Sequence, residues 1–172
     1  FDDLESRQVR VIGDTAKRYR EEPVRMLRTV RFAAKLDFRV EKGSGAPIAE
    51  LASLLDDIPA ARLFDEFGKL FLAGNAQATL RLLREYRRFD HLFPDSARLA
   101  DENPFYDRLI DAAMGNTDLR IRQGQPVTPA FILAAVLWPA VCERRQQRER
   151  QGAKSVPAIT AAGQEVAAEA CR

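Results

Sequence analysis

Residues 20–36 combine charged and apolar side chains at a spacing that could recognise an anion or a nucleobase. The segment reads R-E-E-P-V-R-M-L-R-T-V-R-F-A-A-K-L. Glu22 and Arg25 are three residues apart, so on a helix they lie one turn from each other. A carboxylate accepts hydrogen bonds and a guanidinium presents a planar fork of donors, and together they can bind the edge of a base.

The element that must position these groups is a helix with two different faces. Glu21 and Glu22 at its start favour the positive end of the helix dipole, and Pro23 is tolerated in a first turn. An apolar stripe at helical spacing consists of Leu27, Val30, Ala33 and Ala34. The opposite side carries Arg25, Arg28, Arg31 and Lys35. A surface helix with solvated salt bridges would show the same pattern, so spacing alone leaves both interpretations open.

A second basic helix is predicted after Asn75, which is a suitable N-cap residue. Its outward side chains are Arg81, Arg84, Arg87 and Arg88. A phosphate backbone is the functional partner that such a face would bind, and simple solvation is the alternative.

Between the two basic helices, the sequence predicts one loop and two further helices, the first of which spans residues 47–57. Residues 57–74 read as a helix that Gly74 ends, and Arg62 and Glu66 can pair across one turn because they are four residues apart. Gly43-Ser44-Gly45 is predicted to be a flexible connection.

In the second half of the chain, Pro104 follows a capping asparagine and starts a helix that is predicted to end near Gly115. Residues 116–127 are then predicted to form a loop. Thr128 caps the most apolar helix, in which Trp138 is the predicted core anchor. The polar residues 143–154 fit either a solvated helix or a mobile loop.

Composition limits the classes of function. The chain has 172 residues, a formal net charge of +2 and 46% hydrophobic residues, which suits a globular domain with a sizeable core. It has no apolar run that could cross a membrane and no secretory signal pattern, so we expect a cytoplasmic protein. Cys142 and Cys171 are too few and too far apart for a zinc site or a disulfide framework. His91, the only histidine, has no ligand partners at metal spacing and is interpreted as structural.

The helix of residues 20–36 resembles the neck-helix motif of the class II nucleotidyltransferases, the bacterial poly(A) polymerases and CCA-adding tRNA nucleotidyltransferases. Their pattern is close to E-D-P-x-R-x-L-R-x-x-R-F-A-A-x-L, and Glu22 stands where the family usually has Asp. By this resemblance, Glu22 and Arg25 recognise the base of the incoming nucleotide. The family's R-x-x-x-E motif falls on Arg62 and Glu66, which would brace the nucleotide-reading helix.

The resemblance implies an all-α fold, a helical neck plus part of a helical body. Residues 1–20 would be the tail of a catalytic head domain, residues 21–74 the neck, and residues 75–172 the body. The implied nucleotide-binding residues are Glu22, Arg25, Arg28, Arg62 and Glu66. The implied RNA-binding residues are Arg18, Arg31, Lys35, Arg81, Arg84 and Arg88.

The implied reaction is the addition of AMP from ATP to the 3′ end of single-stranded RNA, with Mg²⁺ held by the head domain. The phrase N-T-D-L-R-I-R followed by V-T-P-A-F-I-L-A-A-V-L-W resembles poly(A) polymerases more than CCA-adding enzymes. The family's metal-binding Asp-x-Asp is absent and the chain does not begin with Met, so we expect an inactive fragment. A CCA-adding enzyme and a non-catalytic helical adaptor remain the alternatives.

Overall fold

The structure, a computed structural model, describes residues 2–170 and is built almost entirely of helices. The expected all-α class is confirmed. In chain order the elements are α1 (Asp2–Glu5), β1 (Gln8–Val9), α2 (Thr15–Glu21), α3 (Val24–Leu36), β2 (Arg39–Val40), α4 (Lys42–Glu50), a 3-10 helix (Ala52–Leu55), α5 (Ala60–Phe71), α6 (Ala76–Glu85), α7 (Arg88–Leu92), α8 (Pro94–Glu102), α9 (Pro104–Arg122), α10 (Pro129–Arg150) and α11 (Ser155–Ala170). The two short strands pair in parallel, with Gln8 opposite Arg39 and Val9 opposite Val40.

Helix α3 is the central element, and its apolar stripe is buried as the sequence predicts. Leu27, Val30 and Ala33 are almost fully buried where α3 packs against α5 and α6. The helix begins at Val24, however, and not at Glu21, which is the last residue of α2. The break falls at Pro23 because proline has no N–H with which to continue the hydrogen bonds of α2.

The segment Gly43-Ser44-Gly45 was expected to be a loop, but it forms the first turn of α4. The carboxylate of Glu41 accepts hydrogen bonds from the backbone N–H groups of Gly43 and Ser44 at 2.8 and 3.0 Å. Ser44 is buried, and its hydroxyl accepts a hydrogen bond from the backbone N–H of Val11. Gly45 leaves room for the ring of Tyr86, which a Cβ atom would approach to 3.0 Å. Capping and tertiary packing therefore overcome the low helix propensity of two glycines.

Helix α9 continues into the predicted loop at residues 116–127 and ends at Arg122. Its extra turns carry Asp118, whose buried carboxylate accepts hydrogen bonds from the backbone N–H groups of Ala76 and Gln77 at 2.6 and 3.1 Å. Asp118 thus caps α6, whereas the side chain of Asn75 makes no capping hydrogen bond. The Asn75 cap predicted from the sequence is wrong because a carboxylate from another helix occupies the same N–H groups.

Helices α10 and α11 pack along each other at the C-terminal end of the described chain. Thr128 caps α10 as predicted. The helix contains Pro139 and extends into the polar segment of residues 143–154 as far as Arg150. Trp138 is 38% exposed, so it is not the core anchor that the sequence predicts. The predicted role of Cys171 lies outside the described residues. None of the described helices is long and apolar enough to cross a membrane.

Candidate functional site

A carboxylate that binds three arginines lies at the junction of α2 and α3. Glu22 Oε2 is 2.9 Å from Arg25 Nη2, and Glu22 Oε1 is 3.2 Å from Arg28 Nη1 and 2.8 Å from Arg62 Nη2. The Glu22–Arg25 pair follows the predicted spacing along the chain. Arg62 comes from α5, so this cluster links the start of α3 to the neighbouring helix.

Glu66 forms a second, buried part of the same network. Its side chain is 4% exposed, and Oε1 accepts hydrogen bonds from Lys69 Nζ at 2.9 Å and Arg28 Nη2 at 3.3 Å. Burial alone would raise the pKa of Glu66, but the hydrogen bonds from Lys69 and Arg28 outweigh burial and hold the pKa below its ordinary value of 4.5.

The predicted pair between Arg62 and Glu66 does not form. Arg62 binds Glu22, and Glu66 binds Arg28 and Lys69. Arg62, which is exposed, therefore connects α5 to the residue between α2 and the start of α3, whereas the buried Glu66 connects α5 to α3 and to its own next turn. We call Glu22, Arg25, Arg28, Arg62 and Glu66 the ion-pair network; all five are residues that the sequence singles out.

The carboxylate of Glu22 retains some capacity to bind a ligand. Glu22 accepts a hydrogen bond from Arg62 and lies at ion-pair distance from Arg25 and Arg28, so at least one of the about four acceptor positions of an ionised carboxylate stays unused. Oε2 carries only the contact with Arg25, and the side chain of Arg25 is 43% exposed. A ligand that has a donor beside an acceptor could therefore contact both side chains.

A basic groove of about 330 Å³ runs between α3 and α5, next to the ion-pair network. Arg31, Phe32 and Lys35 line it from α3. Gly68, Lys69 and Leu72 line it from α5 and the residue that follows it. Within the part of the chain that the structure describes, Arg31 and Lys35 make no ion pair. Both were singled out as RNA-binding candidates, whereas Lys69 and Phe32 were missed.

The second basic surface lies on α6 and is less uniform. Arg81 is exposed, whereas Arg84 is partly buried, lies 2.7 Å from Asp107 and stacks on the ring of Phe89. A groove of about 580 Å³ beside Arg81 also contains Asp111. Arg122 also lines this groove. It was not among the predicted RNA-binding residues, because its segment was expected to be a loop.

Arg88 is not part of this surface, contrary to its assignment as an RNA-binding residue. It begins α7, is 1% exposed, and donates hydrogen bonds to the carbonyls of Tyr86 and Ala49 at 2.9 and 3.2 Å. Burial lowers the pKa of its guanidinium. The sequence reasoning failed here because α6 ends at Glu85, so Arg84 and Arg88 do not share a helix face.

The remaining candidates are separate from the network. Arg18 is exposed in the last turn of α2. His91 lies 2.8 Å from Asp56, in agreement with a structural role. Among residues 2–170, no group of three or more His, Cys, Asp or Glu side chains is placed to hold a metal ion.

Comparisons with known proteins identify relatives of this chain along nearly its whole length. The chain is 46% identical to Poly(A) polymerase I of Salmonella typhi, across 99% of this chain. Over nearly its whole length, the chain is homologous to the bacterial poly(A) polymerases. Residues 37–99 match the family profile described as "Probable RNA and SrmB- binding site of polymerase A". The chain spans 37% of the length of the Salmonella polymerase.

CCA-adding enzymes are more distant relatives of this chain. The CCA-adding enzyme of Streptococcus suis is 38% identical over 58% of the chain and 25% of its own length. A solved tRNA-processing enzyme in apo form matches with a TM-score of 0.58 at 18% identity, over 94% of this chain and 43% of its own. A CCA-adding enzyme in complex with ATP matches with a TM-score of 0.51 at 20% identity, over 86% and 42%. At these identities the structures indicate a shared fold.

Proposed function

We propose that this chain is the neck and body portion of an enzyme that adds AMP from ATP to RNA 3′ ends. The observation that carries the proposal is the 46% identity to a poly(A) polymerase over nearly the whole chain. Residues 1–20 would end the catalytic head, residues 21–74 would form the neck, and residues 75–172 would belong to the body. The protein would act in the cytoplasm.

The ion-pair network would recognise adenine. Adenine has an exocyclic amine, which donates, beside a ring nitrogen, which accepts. The unused acceptor position on Glu22 can take the amine, while the guanidinium of Arg25 donates to the ring nitrogen. Arg28 and Arg62 would hold the carboxylate in place, and Glu66 would fix Arg28. Guanine presents an oxygen where adenine has the amine, so the carboxylate should reject it.

RNA would bind through the exposed cations. Arg31 and Lys35 flank the α3–α5 groove, Arg81 and Arg84 lie on α6, and Arg18 stands on α2. The family profile over residues 37–99, which names RNA, supports this assignment for α6. Arg88 is excluded because it is buried.

The Mg²⁺ ions of the reaction would be held by the head domain. The acidic side chains of residues 2–170 do not cluster in a way that fits a metal pair, so no catalytic step is assigned to this chain. Its own contribution would be to select the nucleotide and to hold the RNA.

RNA binding is the first test of the proposal. We expect the chain to bind a short single-stranded RNA, and the affinity to fall steeply between low and physiological salt because phosphate contacts release counterions. Fluorescence anisotropy at two ionic strengths measures this. If no binding occurs, or if binding is indifferent to salt, the chain is better explained as a helical adaptor.

Nucleotide incorporation by the complete enzyme is the second test. Repeated addition of AMP to an RNA primer is the expected result. The 38% identity to a CCA-adding enzyme keeps that activity as the second candidate. It would be indicated by a product that stops after two cytidines and one adenosine.

A further inference from the structure

The α3–α5 groove displays an aromatic ring that the fold does not use for packing. Phe32 is 45% exposed although the neighbouring residues of α3, Val30 and Ala33, are buried in the core. Leu36, one turn further along, is 50% exposed. An exposed phenylalanine in a groove costs solubility and contributes little burial, so the ring is available to a ligand.

The groove around this ring is lined by cations and contains no carboxylate. The guanidinium of Arg31 lies over the Phe32 ring, 5.0 Å from its centre. Lys35 and Lys69 complete the lining. Lys69 also donates one hydrogen bond to the buried Glu66, at 2.9 Å, and an ammonium group has two further N–H groups for a phosphate. The groove beside α6 differs, since it includes the carboxylates of Asp111 and Asp118. Of the two grooves, the α3–α5 groove is therefore the better electrostatic match for a phosphate chain.

Gly68 leaves the α5 side of the groove without a side chain. A Cβ atom at this position would meet no other atom within 4 Å, so packing does not require glycine here. A glycine inside a helix is unfavourable relative to alanine. Its presence in α5 keeps the groove open opposite Phe32.

We propose that this groove binds one nucleotide of single-stranded RNA, with the base stacked on Phe32 and the adjoining phosphates at Arg31, Lys35 and Lys69. The inference rests on the proposed function, which makes RNA the ligand. Stacking on an aromatic ring combined with cations along the backbone is the usual mode of sequence-tolerant single-strand binding. The base takes the place of the Arg31 guanidinium over the ring, and the guanidinium then donates to phosphate. The volume of about 330 Å³ is at the lower end for ligand sites, which suits a single base.

The test compares oligoadenylate with an abasic ribose-phosphate oligomer of the same length. Titrations by anisotropy would use the unmodified chain, Phe32→Leu, Phe32→Trp and the control Phe131→Leu, whose phenylalanine is 44% exposed on α10, away from the groove. Phe32→Leu should weaken binding of oligoadenylate by about 5- to 150-fold, the range for loss of one stacked base. Phe32→Trp and Phe131→Leu should retain binding, and the abasic oligomer should bind Phe32→Leu and the unmodified chain alike.

A salt titration distinguishes the contribution of the Phe32 ring to RNA binding from that of the cations. Lys35→Gln should lower the slope of log affinity against log salt by about 0.7, the value for one lost phosphate contact on a single strand, whereas Phe32→Leu should leave the slope unchanged. Lys154→Gln, outside both grooves, is the matched control. Melting curves check that each variant is folded.

If Phe32→Leu and the unmodified chain bind oligoadenylate with equal affinity, the proposed stacking site is wrong. If that binding still depends on salt, the proposed function is not contradicted. The ring would then be a contact for a protein segment and not for RNA. If the unmodified chain binds neither oligomer, the proposed function itself fails and this inference fails with it.

Discussion

Glu22 is the residue on which the proposed nucleotide site depends, because its one carboxylate contacts three guanidinium groups from two helices. Glutamate reaches one methylene further than the aspartate that is usual in this family. In the structure, Oε1 of Glu22 contacts both Arg28 and Arg62, and Oε2 contacts Arg25. Specificity would then come from the carboxylate and from the arginine that it holds.

The first prediction concerns nucleotide choice in the complete enzyme. Arg25→Ala should strongly lower kcat/KM for ATP, since a bidentate contact with a base is worth about 1–3 kcal/mol of discrimination. Glu22→Asp should be mild, because it restores the usual family residue. Glu22→Ala should lower the ATP-to-GTP preference and the melting temperature, because three arginines lose their common acceptor.

Steady-state kinetics with ATP and GTP, together with a melting curve for each variant, measure both effects. Arg20→Ala is the control, since Arg20 is exposed on α2 and outside the network. An unchanged ATP-to-GTP ratio in both Glu22→Ala and Arg25→Ala would remove these residues from the nucleotide site.

Glu66 makes a pH-dependent contribution to stability. Its folded-state pKa lies below the ordinary value of 4.5, so the contribution is present above that pH and is lost as the pH falls through the lower, folded-state pKa. Glu66→Gln should therefore melt at a lower temperature than the unmodified chain at pH 7, and the difference should shrink at pH 3. Thermal melts at both pH values test this, with the exposed neighbour Asp65→Asn as control. A constant difference would contradict the assignment.

Substitutions of Arg88 and Arg81 should distinguish an effect on stability from an effect on RNA binding. Arg88→Ala removes a large buried side chain and two hydrogen bonds to carbonyls, so we expect a loss of about 2–4 kcal/mol in the free energy of unfolding. Arg81→Ala should change stability little, because Arg81 is exposed, and it should weaken RNA binding and its salt dependence. Urea unfolding and anisotropy on both variants check this. A stable Arg88→Ala variant with weakened RNA binding would restore the interpretation drawn from the sequence.

At the scale of elements, the helices whose own periodicity is strong were predictable from the sequence. The buried stripe of α3 and the cap and start of α10 both follow from local spacing. The first turn of α4 was not predictable, because it depends on the Glu41 carboxylate and on the hydrogen bond between Ser44 and Val11, which is distant in the sequence. Arg88 was misplaced for a related reason, since the end of α6 could not be located from charge spacing.

The cap of α6 gives a direct test of this distinction. Asp118→Ala leaves two N–H groups of α6 without their acceptor in a buried place, so we expect a loss of about 1–3 kcal/mol in stability. Asn75→Ala should have little effect, although the sequence alone would assign it about 1 kcal/mol as an N-cap. Chemical denaturation of both variants measures the difference. A larger loss in Asn75→Ala would mean that α6 is capped locally.

At the scale of the whole molecule, the two basic grooves and the ion-pair network are held by one continuous core. Residues from α3, α5, α6, α9 and α10 join in a single hydrophobic cluster, which includes Leu27, Phe71, Leu80, Met114 and Val136. The site on α3 and the surface on α6 are therefore fixed relative to each other. Such a rigid body can hold RNA in register with a nucleotide, while the charged groups that bind metal would come from another domain.

The last prediction follows from the proposal that another domain supplies the metal-binding groups. The chain alone should then bind RNA without extending it. Phosphoryl transfer of this type needs carboxylates that hold a pair of metal ions at the attacking 3′ hydroxyl. The sequence contains no Asp-x-Asp motif that could supply them. Purified chain incubated with radiolabelled ATP, Mg²⁺ and an RNA primer should therefore leave the primer length unchanged at concentrations where anisotropy detects binding. The complete enzyme under identical conditions is the positive control. Primer extension by the chain, retained in a preparation of Arg25→Ala, would point to a contaminating polymerase, whereas extension that Arg25→Ala abolishes would show that the chain itself carries the catalytic centre.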